Sequence, residues 1–401
     1  MKKILVAIDS LQAGGGQKSL VSFLNSLPID RYDIDLLLMN NKGLFISQIP
    51  PYIRIQEADF NLKQLTHSPL EISLFIKHSP IIWFKAIVRS ICGKFDKKNH
   101  KVQLKWALWE KDIHTNSQTY DIAISYLEGF TNYYIIDKVN AQRKILWIHS
   151  QYDNLGYNAT FDYKYFTKAD AIITMAPKAL ENLQKNFPEI KKRFHILENI
   201  SNATLINKLA NIPIKEKAYS EFKGIKILSI GRLSEVKNFD LAIYTAWELK
   251  KKQIPFLWYI IGEGNMHAHL NKLIRQCKLE NEVYLIGLRA NPYQYMKNAN
   301  YIITTSKYEG RSMVIDEAKI LNKLIITTNY SAATDVINNR ETGIICEMNP
   351  NSIANSIIEL SQNIILQKHI LNNLKMNVND NTSEIYKYIE IIDPPKITGI
   401  Q

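Results

Sequence analysis

The stretch IKILSIGRLSEVKNFD, residues 225–240, joins a short apolar run to a glycine, a charged turn and the start of an amphipathic segment near Phe239. The run is rich in isoleucine and ends abruptly, so it predicts a buried strand at 225–231 followed by a helix. A strand that leads at once into a helix is the unit of a parallel sheet, whose strands are covered on both faces and need crossover connections. The unit recurs along the whole chain. In the second half the spacing predicts strands at 256–262, 283–287, 301–306 and 324–329, and in the first half at 4–8, 34–39, 122–127, 144–149 and 171–176. The fold class is α/β, and each half reads as a doubly wound sheet of its own.

Between the halves, residues 206–224 are polar, lack a sustained period and contain the breakers Pro213 and Gly224, so they read as a connector. This divides the chain into an N-terminal domain, 1–205, and a C-terminal domain, 225–380. Residues 381–401 read as a terminal helix and tail that return to the N-terminal domain, with Pro394 and Pro395 closing the periodic stretch NTSEIYKYIEII.

Length and composition agree with two cores: 401 residues, 46% of them hydrophobic, exceed what one ordinary core holds. Cys92, Cys277 and Cys346 lie far apart with no CxxC pair, which suggests neither a disulfide framework nor a zinc site and fits a reducing compartment. The opening MKKILVAIDS resembles a signal peptide, but Asp9 interrupts its apolar run after Ile8, so a first strand is the better reading. No stretch approaches the roughly 18 apolar residues of a spanning helix. A cytoplasmic protein, or one held at the inner face of the plasma membrane, is expected.

The formal charge of +12 fits nucleic acid, anionic lipid or a phosphorylated ligand. Residues 75–109 interleave aromatic and aliphatic residues, among them Trp83, Trp106 and Trp109, with eight basic ones. Two readings are open: a helix lying on an anionic membrane surface, or helices packed on the domain core with their lysines outside. Nucleic acid ranks third and is not expected, because no recognition helix, zinc finger or aromatic sheet motif accompanies the charge.

Ligands of open parallel sheets bind beyond the carboxyl ends of the strands, so the loops there are the candidate sites. After the first strand, Gly14, Gly15 and Gly16 allow close backbone approach at a helix start. The frame fits neither a P-loop nor GxGxxG, which counts against a nicotinamide-dependent oxidoreductase. After 225–231, Arg232 and Lys237 span a strand-to-helix turn and suit a diphosphate, one as a planar fork and the other as a point charge. In TTSKYEGRSMVIDEAK, residues 304–319, Glu309 lies in the turn and Glu317 about two helical turns on, so both can face one cleft and accept hydrogen bonds from sugar or ribose hydroxyls. Asp33 and Asp35 form a DxD at the start of a strand, away from these loops, and read as coincidence.

Together GRLSEVKNFD, IIGEGN (260–265), SKYEGRSMVIDEAK and ETGIIC (341–346) resemble family 4 of the glycosyltransferases, in the variant found in bacterial capsule and envelope-polysaccharide clusters. The resemblance covers the second half in order and the first half more faintly. It implies the GT-B architecture, two doubly wound Rossmann-like domains facing across a cleft, and a retaining transfer from a nucleotide sugar, UDP-linked in the commonest case, to a glycan or lipid-linked acceptor. By the same resemblance Arg232 and Lys237 bind the donor diphosphate, Glu309 contacts the transferred sugar, and Glu317 holds the ribose. Backbone amides at Gly310, Arg311, Ser312 and Met313 lie near the phosphates, Gly15 and Gly16 contribute from the first loop, and His149 stands beside the donor sugar. No cofactor and no metal are expected, because the two cations and the helix amides offset the leaving-group charge. Two positions depart from the family: Gln17 stands where a glutamate is usual, and Arg311 and Ser312 where Phe and Pro or Gly are common. The rival reading is a non-catalytic partner of the same fold that binds glycan or stabilises another glycosyltransferase.

Overall fold

The computed structural model describes residues 1–12, 14–63, 65–66, 100–309, 312–376 and 381–395. The chain divides into two compact units, Met1–Ile200 joined by the terminal segment from Ser383, and Ser201–Thr382.

In the first unit seven parallel strands, β1 (Lys2–Ile8), β2 (Tyr32–Leu38), β3 (Arg54–Glu57), β4 (Thr119–Ser125), β5 (Asn140–Trp147), β6 (Ala171–Thr174) and β7 (Phe194–Ile196), stand in the order β3-β2-β1-β4-β5-β6-β7. The order reverses between β1 and β4, where the loops after both strands must part to opposite faces. Leu5, Val6, Ala7 and Ile8 of β1 have no exposed surface, which is why this strand reads as a continuous apolar run. The terminal helix Glu384–Ile392 packs on this unit. Arg143 donates to the Ile391 carbonyl at 2.8 Å, and Asp393 just beyond the helix accepts from Lys2, from Arg31 at 3.0 Å and from the Tyr32 hydroxyl at 3.2 Å.

In the second unit β8 (Ile225–Ile230), β9 (Phe256–Ile261), β10 (Val283–Leu285), β11 (Tyr301–Thr304), β12 (Leu324–Thr328) and β13 (Ile344–Cys346) form a parallel sheet in the order β10-β9-β8-β11-β12-β13. Ile227, Ile303 and Ile326 enter the core on one face, and Leu228, Ile302 and Ile325 the core on the other. Each such side chain contributes about 1.5–3 kcal/mol by leaving water. The reversal lies between β8 and β11.

Several expectations need correction. Residues 206–224 are not a free connector: the helix Ala203–Ala210 places Ile206 and Ala210, four apart on one face, with Tyr219 in the core beside Leu228 and Ile325. The chain crosses between the units near Ile200, not at 205. Of the two readings of residues 75–109, Trp106 and Trp109 follow the second, being buried in the first unit on the helix Lys101–Trp109, while residues 75–99 of that stretch lie outside the described residues. Among the described residues no helix is long and apolar enough to cross a membrane. The DxD carboxylates both serve Arg54 of the edge strand, which reaches Asp33 at 2.7 Å and Asp35 at 2.8 Å, and Tyr120 donates to Asp35 at 3.0 Å.

Candidate functional site

At the reversal of the second sheet, the loops after β8 and β11 meet. Gly231 ends β8, and the methylenes of Lys237 lie over it so closely that an added Cβ would come within 3.3 Å of Lys237 Cδ. The next loop is pressed in from the side. Leu233, fully buried, donates its amide to the Glu263 carbonyl at 2.9 Å and accepts from Met266 at 3.0 Å. Gly262, at φ +157°, leaves room for the Gly231 carbonyl, which an added Cβ would meet at 1.9 Å. Asn238 ends the turn in the left-handed region, φ 52° and ψ 46°, and opens the helix Phe239–Lys251.

Backbone and side chain tie this turn to the one after β11. The Thr305 hydroxyl donates to the Lys237 carbonyl at 2.9 Å and the Lys307 amide to the Val236 carbonyl at 2.8 Å. The Lys237 ammonium pairs with Glu309 Oε1, which also accepts from the Ser306 hydroxyl at 2.6 Å. Their side chains keep 26% and 11% of their surface exposed. Arg232, on the same turn, is exposed, and among the described residues its guanidinium has no hydrogen-bond or ion-pair partner. Lys237 and Glu309 therefore share one rim, and Arg232 lies on the turn that carries Lys237. Glu317 does not open onto it: its side chain is buried, and its carboxylate accepts from the Tyr293 hydroxyl at 3.2 Å. Burial, together with the charge of Glu317, pushes the Tyr293 phenol well above its ordinary range. Ser312 is buried at the start of the helix Met313–Ile320 and makes no side-chain cap, so Met313 begins a helix whose first amides lack that partner. Gly310 and Arg311 lie outside the described residues.

The first unit builds a second cluster at its own reversal. Gly14 precedes the helix Gly15–Ser26, which has no side-chain cap. A Cβ at Gly15 would meet nothing, whereas one at Gly16 would come 2.8 Å from Leu127 and 3.7 Å from the His149 ring. His149 follows β5 by one residue, and its Nε2 lies 2.9 Å from the Tyr126 carbonyl. A carbonyl only accepts, so Nε2 carries the proton and Nδ1, toward Gly16, is left as an acceptor. Burial lowers the His149 pKa below its usual 6.5, against the opposing pull of Glu128, which keeps the ring neutral at pH 7. Glu128, after β4, accepts from the His149 amide at 2.9 Å and the Ser150 hydroxyl at 2.6 Å. Burial raises the pKa of Asp9, after β1, and the charge of Glu128 adds to the effect, while the Ser10 amide and Gln17 side chain oppose it. Asp9 and Glu128 were missed in reading the sequence. The strand-end rule applied to each strand in turn would have found both.

Chemically the second unit offers a guanidinium without a partner among the described residues, a largely covered ammonium, an uncapped helix start and a carboxylate, a set that suits an anion linked to hydroxyl groups. The first unit offers a neutral imidazole beside a glycine-rich helix start.

Comparison with known proteins agrees with this chemistry. Residues 212–376, inside the second unit, match the family of glycosyl transferases group 1. An N-acetylgalactosamine-N,N'-diacetylbacillosaminyl-diphospho-undecaprenol 4-alpha-N-acetylgalactosaminyltransferase of Campylobacter jejuni is 26% identical over 379 residues, 94% of each chain. An uncharacterized glycosyltransferase of Methanocaldococcus jannaschii is 30% identical over 169 residues, a match that spans only 42% of its length and of this chain. The crystal structure of Anabaena HepE in complex with UDP and glucose aligns with a TM-score of 0.63 at 15% identity, over 97% of this chain and 98% of its own. The chain thus has the fold of GT-B glycosyltransferases, two parallel-sheet Rossmann-like units, and its second unit is similar to the group 1 glycosyl transferases.

Proposed function

We propose that the chain is a retaining glycosyltransferase that moves a sugar from a UDP-linked donor to a glycan or lipid-linked acceptor in the synthesis of a cell-surface polysaccharide. The observation that carries the proposal is the rim at the reversal of the second sheet, where Glu309 meets Lys237, while Arg232, on the same turn as Lys237, has no side-chain partner among the described residues. Arg232 forks onto the diphosphate and Lys237 adds a point charge. The amides from Gly310 to Met313 bind the phosphates, and Glu309 accepts from a hydroxyl of the transferred sugar. Glu317, buried against Tyr293 and not open to the rim, is given no part in binding. His149, with Nδ1 free to accept, is assigned to a sugar hydroxyl, beside the amides of Gly15 and Gly16. Support for the donor comes from HepE, which holds UDP and glucose, and for a lipid-linked acceptor from the diphospho-undecaprenol in the Campylobacter enzyme's name.

In the proposed step the bond from the sugar's anomeric carbon to the β-phosphate oxygen breaks and a bond to the acceptor oxygen forms on the same face. The departing phosphate oxygen takes the acceptor's proton, so UDP leaves and the configuration is kept. Arg232, Lys237 and the helix amides stabilise the charge on UDP, and the proposal assigns this work to them in place of a metal. A panel of nucleotide sugars screened by thermal shift identifies the donor, and transfer is then measured in Glu309→Gln and Arg232→Ala. Wild-type turnover in both variants would end the proposal. Vesicle binding that requires anionic lipid and weakens with salt tests whether the chain works at a membrane surface.

A further inference from the structure

We infer that Tyr388, on the terminal helix Glu384–Ile392, is a positioning residue that sets the orientation of the His149 imidazole through Tyr126; the inference rests on the role proposed for His149. The ring nitrogen Nε2 is held by the Tyr126 carbonyl at 2.9 Å, so the ring can be no better placed than that carbonyl. Tyr126 follows β4 directly, and its amide donates to the Ala7 carbonyl at 3.0 Å. Its ring packs against two others that also touch each other, Phe23 and Trp147 lying 6.3 Å apart. It stacks on Trp147 with centroids 5.0 Å apart and planes at 21°, and on Phe23 at 5.7 Å and 17°.

Tyr388 closes this box. Its ring stacks on Phe23 at 5.2 Å and lies 5.9 Å from Trp147, and its hydroxyl lies near that of Tyr126. The same hydroxyl donates to the Glu198 carbonyl at 2.8 Å. The Tyr126 hydroxyl also lies 2.9 Å from Ser19 Oγ, and Ser19 donates to Asn199 at 2.6 Å. All four rings are at most 1% exposed, so no water is available to replace a lost partner. The four elements that meet here are the helix after the glycine loop, the end of β4, β5 and the terminal helix. The chain leaves the first unit at Ile200 and returns to it at Ser383, and Tyr388 ties the returning helix to Glu198, two residues before the exit.

An aromatic residue that served packing alone would cost stability without changing the histidine. Positioning predicts a specific signature, because among the described residues the charged groups near His149 are Glu128, on the loop after β4, and Asp9 beside Glu128. Loosening Tyr126 lets water reach the imidazole and relieves the desolvation that lowers its pKa. The test uses the full chain, with the His149 ring signal in NMR assigned by its loss in His149→Gln. Tyr388→Leu should raise the His149 pKa toward 6.5 by about half a unit or more, and lower kcat with the donor KM unchanged. Tyr388→Phe, which keeps the ring and loses both hydroxyl contacts, should move the titration the same way by less, and it decides the matter if the leucine variant does not fold. Tyr165→Leu, which removes a buried ring 4.6 Å from Tyr133 in the same unit, should lose stability and leave the titration in place. Identical titration in wild type and folded Tyr388 variants, or an equal shift in Tyr165→Leu, would overturn the inference. A shifted titration with unchanged kcat would instead overturn the catalytic reading of His149 and leave its positioning intact.

Discussion

Replacing Arg232 by Ala removes a guanidinium that is exposed and that has no partner among the described residues. Truncating such a side chain changes folding stability by no more than about 0.5 kcal/mol. Against a diphosphate the same group would make charge-assisted hydrogen bonds, and losing them costs about 1.5–3 kcal/mol. At about 1.4 kcal/mol per tenfold, UDP affinity should fall by roughly 10- to 150-fold. Lys237 does not separate the two effects as cleanly, because its loss leaves Glu309, 11% exposed, without its cation, at a cost to folding of about 1–3 kcal/mol. The assay is urea unfolding for stability and isothermal titration with UDP for affinity, both at one fixed ionic strength. Arg232→Lys keeps the charge without the planar fork and should recover part of the loss. Wild-type affinity for UDP in Arg232→Ala, with the variant folded, would refute the reasoning.

Glu309→Gln should reduce sugar transfer by about 10²- to 10³-fold while UDP affinity does not fall, because the carboxylate is assigned to the sugar and its removal frees Lys237 for the diphosphate; steady-state rates against titration separate the two. Gly262→Ala forces a Cβ to 1.9 Å from the Gly231 carbonyl at φ +157°, and should lower stability in urea unfolding by about 2–4 kcal/mol. Asp9→Asn should raise the melting temperature at neutral pH. Burial raises the Asp9 pKa above 3.8, so the folded wild type carries an ionisation penalty there, and the variant's gain should shrink as pH falls through the raised pKa toward 3.8. A gain that persists below pH 3.8 would contradict that cause.

The strands with unbroken isoleucine and leucine were legible because a parallel sheet buried on both faces leaves no polar alternation to confuse them. The strands that escaped notice are edge strands with weak signals. RIQE of β3 is largely exposed and polar, while β7 and β13 have three residues each. The connector reading failed because Ile206, Ala210 and Tyr219 are too few to announce a buried face, although each is at most 3% exposed. At the candidate site, the residue types and spacing singled out Arg232, Lys237, Glu309 and Glu317, of which the fold brings Lys237 and Glu309 into contact. Spacing could not show that Glu317 turns inward to Tyr293, since helical periodicity gives a residue's face but not the neighbour that covers it. Asp9 and Glu128 each stand just beyond a strand end, where position alone singles them out, but it is the sheet order that brings the two loops together.

The pairing of Lys237 with Glu309 changes the weight that each cation carries. A lysine just before the helix Phe239–Lys251 is disfavoured by the helix dipole, which from sequence alone points to an anion. In the folded chain Glu309 already supplies that anion, so a diphosphate arriving at Lys237 exchanges one negative partner for another. Arg232 exchanges water for phosphate, with no partner among the described residues to give up. The gain on binding should therefore be larger at Arg232, and the ranking follows: Arg232→Ala should weaken UDP more than Lys237→Met does. In the Glu309→Gln background the order should narrow, because Lys237 then has no carboxylate to surrender and binds the diphosphate as a free cation. A double-mutant cycle over Lys237 and Glu309, read by UDP titration, measures that change directly. If Lys237→Met costs the same UDP affinity with Glu309 present and with it replaced, the carboxylate does not compete with the diphosphate for the ammonium.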